Sequence, residues 1–431
     1  MTPAARLNAA IELLTAVENA GRRPGDAVAN DYFRDRRYIG SGDRRAVSER
    51  VWTILRSRRR LNWWLERVHL RPGPRLYVAA SLLLEGWVLT GVKQSFSGGQ
   101  YAPSPLGGEE SAALIKLEGH TLIHPQMPDG IAIEAPDWLV PSLIARFGDK
   151  LREEMAAMDA PATLDLRVNL LRGTREDAIA ALALETIEAE PTPISPWGLR
   201  VEGRRTVTTG PAFQSGLVEI QDEGSQLVAL LADARPEMRV VDWCAGAGGK
   251  TLALAMTMQN RGHIVACDVH DKRLEGAVRR LRRAGVHNVE RHLIEVGDKW
   301  AKRRAATFDR VLIDAPCTGT GTWRRNPDAR TRLQPTDLSE LVEKQHTILA
   351  TAAKLAKPGG RVIYATCSIL REENELQIER FLAENAGYRV LPVPEIWPGP
   401  TACPVQGPYL TLTPRLHNTD GFFTAVLERV G

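Results

Sequence analysis

The chain has 431 residues, of which 43% are hydrophobic and 25% are charged, and its formal net charge at pH 7 is +4. This length and composition are typical of a globular protein of more than one domain, with cores that fold without disulfides. The apolar runs are shorter than the roughly 18 residues that a membrane-spanning helix needs, so we expect a cytoplasmic protein without membrane contact. The five cysteines are odd in number and form no C-x-x-C pair, which predicts neither a disulfide framework nor a metal site.

Residues 1–88 are predicted to form a helical domain, because apolar residues recur at helical spacing from Asn8 to Leu70. The opening stretch MTPAARLNAAIELL holds an acidic residue within its apolar run and has no cleavage-like ending. We therefore expect a helix at this end of the chain and not a signal peptide.

The first eighty residues are strongly basic. They carry sixteen arginines, no lysine and eight acidic residues, and the arginines cluster in RDRR at 34–37 and RSRRR at 56–60. Clustered arginines suit RNA phosphates, so we expect a basic face that contacts RNA. A solvated helix surface without a ligand is the alternative.

Two segments of different character follow. Residues 89–134 are rich in Gly, Pro and Ser and lack sustained periodicity, which predicts a linker or loop. Residues 135–210 are predicted to form a small α+β unit of RRM-like type. In that unit LDLRVNLL at 164–171 alternates like a strand, and Thr174 and Asp177 hold capping-box positions at the start of a helix.

From residue 211 to residue 431 the predicted strands and helices alternate. The strands are RVVDWCA, HIVACDV, NVERHLI, DRVLIDAPC and GRVIYATC. This pattern is typical of a doubly wound, Rossmann-like α/β fold, in which crossover helices join parallel strands. Ligands of such folds bind at the carboxyl ends of the strands.

The stretch VVDWCAGAGGKT at 240–251 has features of several glycine-rich loops. A Walker A loop requires a glycine where Cys244 stands, and a dinucleotide fingerprint requires one where Thr251 stands. What remains is a strand, a glycine turn and a helix N-terminus, with Asp268 at the end of the next strand, 22 residues after Gly246. A carboxylate there can accept hydrogen bonds from ribose hydroxyls, so the pattern favours a nucleoside-containing cofactor. An ordinary glycine turn beside a surface aspartate is the alternative.

Two cysteines fall at the ends of apolar strands. Cys317 closes DAPC at 314–317, and Cys367 lies in ATCS at 365–368. A buried cysteine is more often an inert small hydrophobic residue than a reactive one. Two of them at successive strand ends, each beside a polar loop, favour a reactive site.

Five stretches together strongly resemble the motifs of the Sun/Nop family of RNA cytosine carbon-5 methyltransferases. They are VDWCAGAGGKT, DAPCTGTGTWRRNPD, YATCSILREENE, IQDEGSQL and HNTDGFF. The resemblance covers 211–431, and DAPC followed by TCS is specific to that group. The stretch SGDRRAVSERVWTILRSRRRLNWWL is similar, more loosely, to the NusB-like RNA-binding extension of bacterial members that methylate small-subunit ribosomal RNA. The resemblance implies S-adenosylmethionine as the cofactor, RNA as the partner and a monomeric state.

The resemblance also implies the catalytic roles. Cys367 is the implied nucleophile, whose thiolate adds to carbon 6 of the cytosine and raises the electron density at carbon 5. Cys317 is implied to act in, or assist, the proton removal that releases the enzyme. Asp314 is implied to lie near the amino edge of the cytosine and near the cofactor.

Family members hold the cofactor with the backbone of the glycine-rich loop, one carboxylate at the ribose and another at the adenine. The corresponding residues are Cys244, Ala245, Gly246, Ala247, Gly248, Gly249 and Lys250 in the loop, Asp268 for the ribose, Asp298 for the adenine, and Asp314. The usual loop is close to CAAPGGK, whereas this chain has CAGAGGK, so we expect a loop that is more flexible when empty. A helix cap at Asp298 and a solvated Lys250 are the alternatives.

A cytosine must leave its stack to reach a cysteine in a pocket, so we expect single-stranded or loop RNA as the substrate. Arg324, Arg325 and Asn326 are candidates for phosphate contacts beside it. Three other functions stay open: a transfer RNA cytosine-5 methyltransferase, a DNA cytosine methyltransferase with Cys317 as the attacking group, and a non-catalytic RNA-binding or ribosome-assembly factor. The second cysteine, Cys367, argues against the DNA enzyme, and the retention of both cysteines argues against the non-catalytic factor.

Overall fold

The computed structural model describes residues 1–203 and 205–431. The chain divides into two compact units. One, here called the helical unit, comprises Met1–Ala160 and Trp323–Gln334, and the other, the sheet unit, comprises Pro161–Thr322 and Pro335–Gly431. Within the described ranges, no helix combines the length and the apolar character that crossing a membrane requires.

The helical unit confirms the all-helical prediction for the N-terminal part of the chain. Its first helix begins where the Thr2 hydroxyl accepts a hydrogen bond from the Ala5 amide, with Pro3 in the first turn. A continuous apolar core runs from Ala9 to Met127 between the helices. The helices of this unit span Pro3–Asn19, Gly25–Asp35, Ser41–Arg56, Arg58–Arg67, Pro74–Leu84, Leu89–Ser95, Gly108–Leu114, Asp129–Ala132, Val140–Phe147, Leu151–Asp159 and Ala329–Arg332, with 3-10 turns at Ile115–Leu117, Asp137–Leu139 and Gly148–Lys150.

Residues 89–134 do not form the linker that their composition predicts. They contain short helices, and Val92, Phe96, Leu114 and Leu117 are buried in the same core as the N-terminal helices. The helices here are too short, and too often separated by Gly and Pro, to produce a sustained hydrophobic period. This segment completes the core of the helical unit.

The RSRRR cluster lies inside the helical unit, so the expectation of a phosphate-binding face is wrong for its buried members. Arg56 and Arg60 are buried. The Glu134 carboxylate, also buried, accepts hydrogen bonds from the Arg60 amide at 2.8 Å, from Arg60 Nε at 2.9 Å and from the Arg59 amide at 3.0 Å. Arg60 also pairs with Asp159 at 2.8 Å. These arginines join distant parts of one unit, because a buried guanidinium requires an acidic partner.

The segment Trp323–Gln334 packs with the N-terminal helices although it follows Cys317 closely in sequence. Trp323 is fully buried, and the Arg330 guanidinium lies 5.0 Å from its ring centroid. The Asp328 carboxylate accepts a hydrogen bond from the Gly25 amide at 2.9 Å. The chain therefore passes from the sheet unit into the helical unit at Thr322 and returns at Pro335.

The smaller sheet of the sheet unit is antiparallel, in the order β2-β3-β1-β4. Its strands are β1 (Leu164–Val168), β2 (Ala189–Pro191), β3 (Gly198–Val201) and β4 (Val218–Ile220), and its helices span Arg175–Leu184 and Pro211–Gln214. The capping box is present, since Thr174 and Asp177 exchange backbone-to-side-chain hydrogen bonds at 2.9 and 3.1 Å. The sequence of elements is βαββαβ, so the α+β, RRM-like prediction for this region is confirmed. Its last strand lies beyond the expected boundary at residue 210.

The larger sheet has the order β10-β12-β9-β8-β5-β6-β7, with β11 paired to β12. Its strands are β5 (Arg239–Asp242), β6 (His263–Asp268), β7 (Val289–Leu293), β8 (Phe308–Asp314), β9 (Ala356–Thr366), β10 (Tyr388–Val390), β11 (Leu410–Leu412) and β12 (Phe422–Arg429). The helices span Glu223–Leu231, Gly249–Thr257, Asp271–Ala284, Trp300–Arg303, Pro335–Ala352, Glu375–Glu384, Val393–Ile396 and Pro414–His417, with 3-10 turns at Thr320–Thr322, Ala353–Leu355 and Arg371–Glu373. The Rossmann-like prediction is confirmed, with one difference. The sheet is mixed, because β12 runs antiparallel to its three partners, β9, β10 and β11.

The parallel strands β5, β6, β8 and β9 end at one edge of the larger sheet. Apolar clusters cover both faces of these strands, which explains their nearly continuous hydrophobic sequences. The direction of strand addition reverses between β5 and β8, and ligands bind at such a switch point. The loops that follow Asp242, Asp268, Asp314 and Thr366 meet there.

Candidate active site

A cavity of about 690 Å³ lies at the carboxyl edge of the larger sheet. This volume is typical of small-molecule sites. Most of the residues that the sequence analysis singled out line it: Cys244, Ala245, Gly246, Ala247, Gly249, Lys250, Asp268, Asp314, Cys317 and Cys367. The fold thus brings together the glycine-rich loop, Asp268, the DAPC motif and the TCS motif, which are dispersed over more than a hundred residues of sequence.

The glycine-rich loop connects β5 to the helix Gly249–Thr257. Gly246 and Gly248 have φ values of 55° and 79°, a left-handed backbone that glycine adopts at little cost. A Cβ on Gly248 would also lie 3.2 Å from the Cβ of Ala277, so this glycine permits close packing behind the loop. In the CAGAGGK sequence, Gly246 therefore allows the left-handed backbone that the loop adopts at this position.

Asp268, at the end of β6, is tied to the glycine-rich loop. Its carboxylate accepts hydrogen bonds from the Gly246 amide and from the His270 amide, both at 2.8 Å. A carboxylate has about four acceptor positions, so Asp268 retains capacity for a ligand on the cavity side. Ribose binding by Asp268 stays a prediction.

Lys250 forms an ion pair with Asp314 across the cavity wall, with Nζ and Oδ2 2.7 Å apart. The Lys250 side chain is only 9% exposed, so the alternative of a solvated lysine is wrong. Burial alone would lower the pKa of Lys250, but the attraction of Asp314 outweighs it and the pKa is raised. The pair links the glycine-rich loop to the DAPC motif and keeps Lys250 charged.

The two strand-end cysteines face each other. Their Sγ atoms are 3.4 Å apart, and both line the cavity. The hydrogen bond to Cys367, burial and the nearby charges of Cys367 and Glu373 raise the pKa of Cys317 well above its usual value. Either thiol can donate the hydrogen bond between the two sulfurs, and the raised pKa favours the protonated form of Cys317.

Two further groups at the cavity have raised pKa values. Burial raises the pKa of Asp242 to about 7, although a hydrogen bond from the Thr251 hydroxyl at 2.7 Å opposes the shift. Burial and the carboxylates of Asp314 and Asp242 raise the pKa of the Cys244 thiol. Cys244 is therefore an inert neighbour of the reactive pair.

Several lining residues were missed by the sequence analysis. One face of the helix Pro335–Ala352 contributes Lys344, Thr347, Ile348 and Thr351, and the other missed residues are Gln221, Ser225, Asp242, Trp243, Val269, His270, Arg273, Ile294 and Ala315. The spacing of 344, 347, 348 and 351 marks one helix face. Such a pattern indicates an inward face but does not tell whether that face meets a core or a cavity.

Asp298, expected at the adenine, lies outside the cavity lining. Its carboxylate accepts a hydrogen bond from the Trp300 amide at 2.8 Å, at the start of a short helix, and lies 2.6 Å from His292 Nε2. Both bonds lower the pKa of Asp298, the one from Trp300 more strongly. The structure thus favours the helix-capping alternative, and Ile294 lines the cavity on this side.

The expectation that Arg324 contacts a phosphate is wrong, because this residue is only 2% exposed. Its carbonyl oxygen accepts a hydrogen bond from Arg56 Nη2 at 3.0 Å within the helical unit. Arg325 and Asn326 are half-buried, and phosphate contact by these two residues stays a prediction.

Two family models match the chain. Residues 228–428 match the model described as 16S rRNA methyltransferase RsmB/F. Residues 135–208 match the model of a ferredoxin-like domain of RsmF/B-like methyltransferases, which agrees with the antiparallel β1–β4 sheet. Together the two matches extend over the whole sheet unit apart from short gaps.

Curated relatives extend the comparison to the helical unit. The chain is 31% identical to the ribosomal RNA small subunit methyltransferase B of Xanthomonas campestris over 89% of each protein. It is 34% identical to the probable ribosomal RNA small subunit methyltransferase B of Synechocystis, a match that covers 68% of this chain and 66% of that protein. The solved structure of a methyltransferase homolog protein from Pyrococcus horikoshii is 28% identical, with a TM-score of 0.61, over 71% of this chain and 100% of that one.

The raised pKa of Asp242 predicts a pH-dependent effect of Asp242→Asn. Between about pH 4 and pH 7 the folded chain holds a proton that the unfolded chain has lost, so the free energy of unfolding of the wild type falls as the pH rises. Asparagine does not titrate. The stability of the variant relative to the wild type should therefore rise from pH 5 to pH 7 and then level off, as measured by urea denaturation at each pH.

Asp309→Asn is the matched control. Lys357 and the Arg239 amide hold the pKa of Asp309 below its usual value against the opposing effect of burial. Asp309 is thus ionised in both folded and unfolded chains above pH 5, and its substitution should give a constant stability difference. A stability difference between wild type and Asp242→Asn that is also constant with pH would contradict the raised pKa of Asp242.

Proposed function

The chain belongs to the RsmB/F family of 16S rRNA methyltransferases, and from this premise we propose that it methylates carbon 5 of a cytosine in small-subunit ribosomal RNA. The methyl donor is S-adenosylmethionine. The observation that carries the proposal is the pair of thiols 3.4 Å apart at the wall of the cavity. A methyltransferase that acts on a nitrogen or an oxygen has no need of two facing cysteines.

The cavity fits S-adenosylmethionine in size and in its donor set. Asp268 offers a carboxylate to the ribose hydroxyls, and the glycine-rich loop brings backbone close to the ligand. Asp268 and Asp314 also give the cavity wall carboxylates, which would suit a cationic sulfonium. When bound, the cofactor supplies an electrophilic methyl group.

The first step assigns different roles to the two thiols. Cys317 is the protonated thiol, which donates a hydrogen bond to Cys367 Sγ 3.4 Å away, and Cys367 reacts as the thiolate. The thiolate forms a bond to carbon 6 of the cytosine, and the displaced electron pair makes carbon 5 nucleophilic. Carbon 5 then takes the methyl group.

The second step uses Cys317. Once Cys367 is a thioether it carries no charge, so two causes of the raised pKa of Cys317 disappear. Cys317 can then release its proton to solvent and accept the proton from carbon 5. As that proton leaves, the bond between carbon 6 and Cys367 breaks, which restores the ring and the Cys367 thiolate. The net products are the methylated base, S-adenosylhomocysteine and one proton.

The third group in the site is Asp314. It lies at the end of β8, three residues before Cys317, and its carboxylate is held by Lys250. We assign to Asp314 the binding of the amino edge of the cytosine. The position of its carboxylate on the cavity wall supports this role.

The two cysteines give a direct test of the proposed reaction. Wild type, Cys317→Ala and Cys367→Ala are incubated with unmodified small-subunit ribosomal RNA and labelled S-adenosylmethionine, and methyl transfer and denaturant-resistant protein–RNA adducts are followed together. Wild type should transfer methyl groups, Cys317→Ala should accumulate the adduct, and Cys367→Ala should do neither. Cys403→Ala is the control, because Cys403 lies outside the cavity lining and should leave both signals unchanged.

Other outcomes identify the alternatives. An adduct that depends on Cys317 and survives the loss of Cys367 would reverse the two roles. Transfer to transfer RNA in place of ribosomal RNA would change the substrate class. Failure to bind S-adenosylmethionine at millimolar concentration would favour a non-catalytic RNA-binding protein.

The helical unit offers a basic surface for RNA. A cleft of about 640 Å³ is lined by Asn30, Phe33, Arg34, Arg37 and Arg44. Arg34 and Arg37, from the RDRR cluster, are exposed, and the adjacent Tyr38 is 75% exposed. Exposed arginines beside an exposed aromatic ring suit single-stranded RNA, in which phosphates pair with guanidinium groups and bases stack on rings. We assign the non-catalytic part of RNA affinity to this cleft.

The double variant Arg34→Ala/Arg37→Ala tests this assignment. It should weaken RNA binding and reduce the slope of log K against log salt by about 0.7 for each phosphate that the arginines no longer neutralise. Filter binding of the full chain at several salt concentrations measures both quantities. Arg389→Ala, which removes an exposed arginine paired with Glu428, should change neither. An unaltered salt slope in the double variant would exclude the cleft from RNA binding.

A further inference from the structure

A buried carboxylate lies between the two loops that carry the cysteines. Glu373 ends a 3-10 turn, Arg371–Glu373, shortly after Cys367, and its side chain is fully buried. It does not line the cavity. The reaction as described above leaves this carboxylate without a role.

The Glu373 carboxylate binds the residue that follows Cys317. The Thr318 amide donates to Oε1 at 2.8 Å, and the Thr318 hydroxyl donates to Oε2 at 2.5 Å. Gln345 Nε2 donates both to Oε1 and to the carbonyl oxygen of Pro316, each at 2.9 Å. The residues immediately before and after Cys317 are thus held, directly or through Gln345, by one carboxylate.

The Cys367 loop is tied to the same network. The hydroxyls of Ser368 and Thr320 are 3.0 Å apart, and Thr320 Oγ1 accepts a hydrogen bond from the Ile369 amide at 3.0 Å. The Gly321 amide donates to the carbonyl oxygen of Cys367 at 2.9 Å. Hydrogen bonds therefore join the two loops through Thr320, Gly321, Ser368 and Ile369, which do not line the cavity.

Burying a carboxylate between two loops costs desolvation free energy. Its presence there indicates that the positions of its hydrogen-bond donors matter. Burial raises the pKa of Glu373, although the hydrogen bonds from Ser368, Thr318 and Gln345 oppose the shift. Each donor occupies a defined position on the carboxyl group, so the network fixes the backbone on both sides of Cys317. The separation of the two sulfurs depends on this backbone.

We propose that Glu373 is a positioning residue that holds the Cys317 thiol against Cys367, and that it acts on the release step through Cys317. This inference rests on the proposed two-cysteine reaction. Glu373 accepts two hydrogen bonds from Thr318 and, through Gln345, holds the carbonyl oxygen of Pro316, so both neighbours of Cys317 are fixed. Among the described residues beside Cys367, its side chain contacts Ser368 alone, and the Cys367 carbonyl oxygen is held by Gly321. Loss of Glu373 therefore affects Cys317 first.

The kinetic test compares Glu373→Ala and Glu373→Gln in the full chain. Glu373→Ala should slow release of the adduct by about 10- to 100-fold, the effect of a misplaced catalytic group, with adduct formation much less affected. Glu373→Gln should restore most of the rate, because its carbonyl can accept from Thr318 and Gln345 while its amide donates to the Thr318 hydroxyl. Glu343→Gln is the control, since it removes an exposed carboxylate from the same helix as Gln345, where it pairs with Arg380.

A double variant separates positioning from general loss of structure. If Glu373 acts through Cys317, Glu373→Ala/Cys317→Ala should have the same adduct lifetime as Cys317→Ala alone. An additive effect, or equal losses in adduct formation and release, would overturn the proposal.

A second readout needs neither RNA nor cofactor. Iodoacetamide labelling followed by mass spectrometry gives the alkylation rate of each cysteine. Glu373→Ala should increase the rate at Cys317 several-fold, because the loop is released and a negative charge that raises the pKa of Cys317 is removed, while Cys403 should be unchanged. An unchanged Cys317 rate would refute the inference even if no RNA is methylated. A changed Cys317 rate without methylation would instead place the failure in the proposed function.

Discussion

The pairing of β8 with β9 is the constraint on which the site depends. The register places Asp314 opposite Ala365, so the two loops that carry Cys317 and Cys367 leave the sheet at the same level. A slip of one residue would turn every side chain of a strand to the other face, and the apolar clusters on both faces of this sheet prevent it. Two sulfurs that are 50 residues apart in sequence meet at 3.4 Å because of this register.

The polar groups around the two sulfurs divide into an open set and a closed set. The open set faces the cavity and consists of the Lys250–Asp314 pair, Asp268 and the glycine-rich loop. The closed set lies behind the cysteines and is centred on Glu373, where the donors are supplied by the protein itself. The contacts with ligands are thus assigned to Asp268 and Asp314, and the geometry of the two loops is assigned to Glu373. The two roles can therefore be tested separately.

Much of the catalytic fold could be predicted from the sequence, because its signals are local. The strands that end at Asp268, Asp314 and Thr366 are apolar runs, and the glycine turn before Lys250 marks a helix start. The roles of the two cysteines came from a family resemblance, since strand position alone does not distinguish a nucleophile from a base. The helix Pro335–Ala352, from which Thr347 lines the cavity, could not be assigned to the site from the sequence. A helix face that covers a core and one that lines a cavity give the same residue spacing.

The helical unit was harder to predict because its charges pair over long distances. Arg60 bonds Glu134 and Asp159, and no local pattern at RSRRR indicates that these partners exist. The same reason applies to Arg324, whose burial depends on helices far earlier in the chain. Asp298 illustrates the opposite case, because its hydrogen bond from the Trp300 amide is local; the adenine contact that the family resemblance implies stays a prediction.

Identification of the cysteine that bonds to RNA tests the central claim most directly. Wild-type protein is allowed to react with S-adenosylmethionine and an RNA that contains 5-fluorocytosine, whose fluorine cannot be removed as a proton, so that the adduct persists. The adduct is digested with nuclease and protease, and the modified peptide is sequenced by mass spectrometry. The account predicts a nucleotide on Cys367 with Cys317 unmodified; a nucleotide on Cys317 would contradict it.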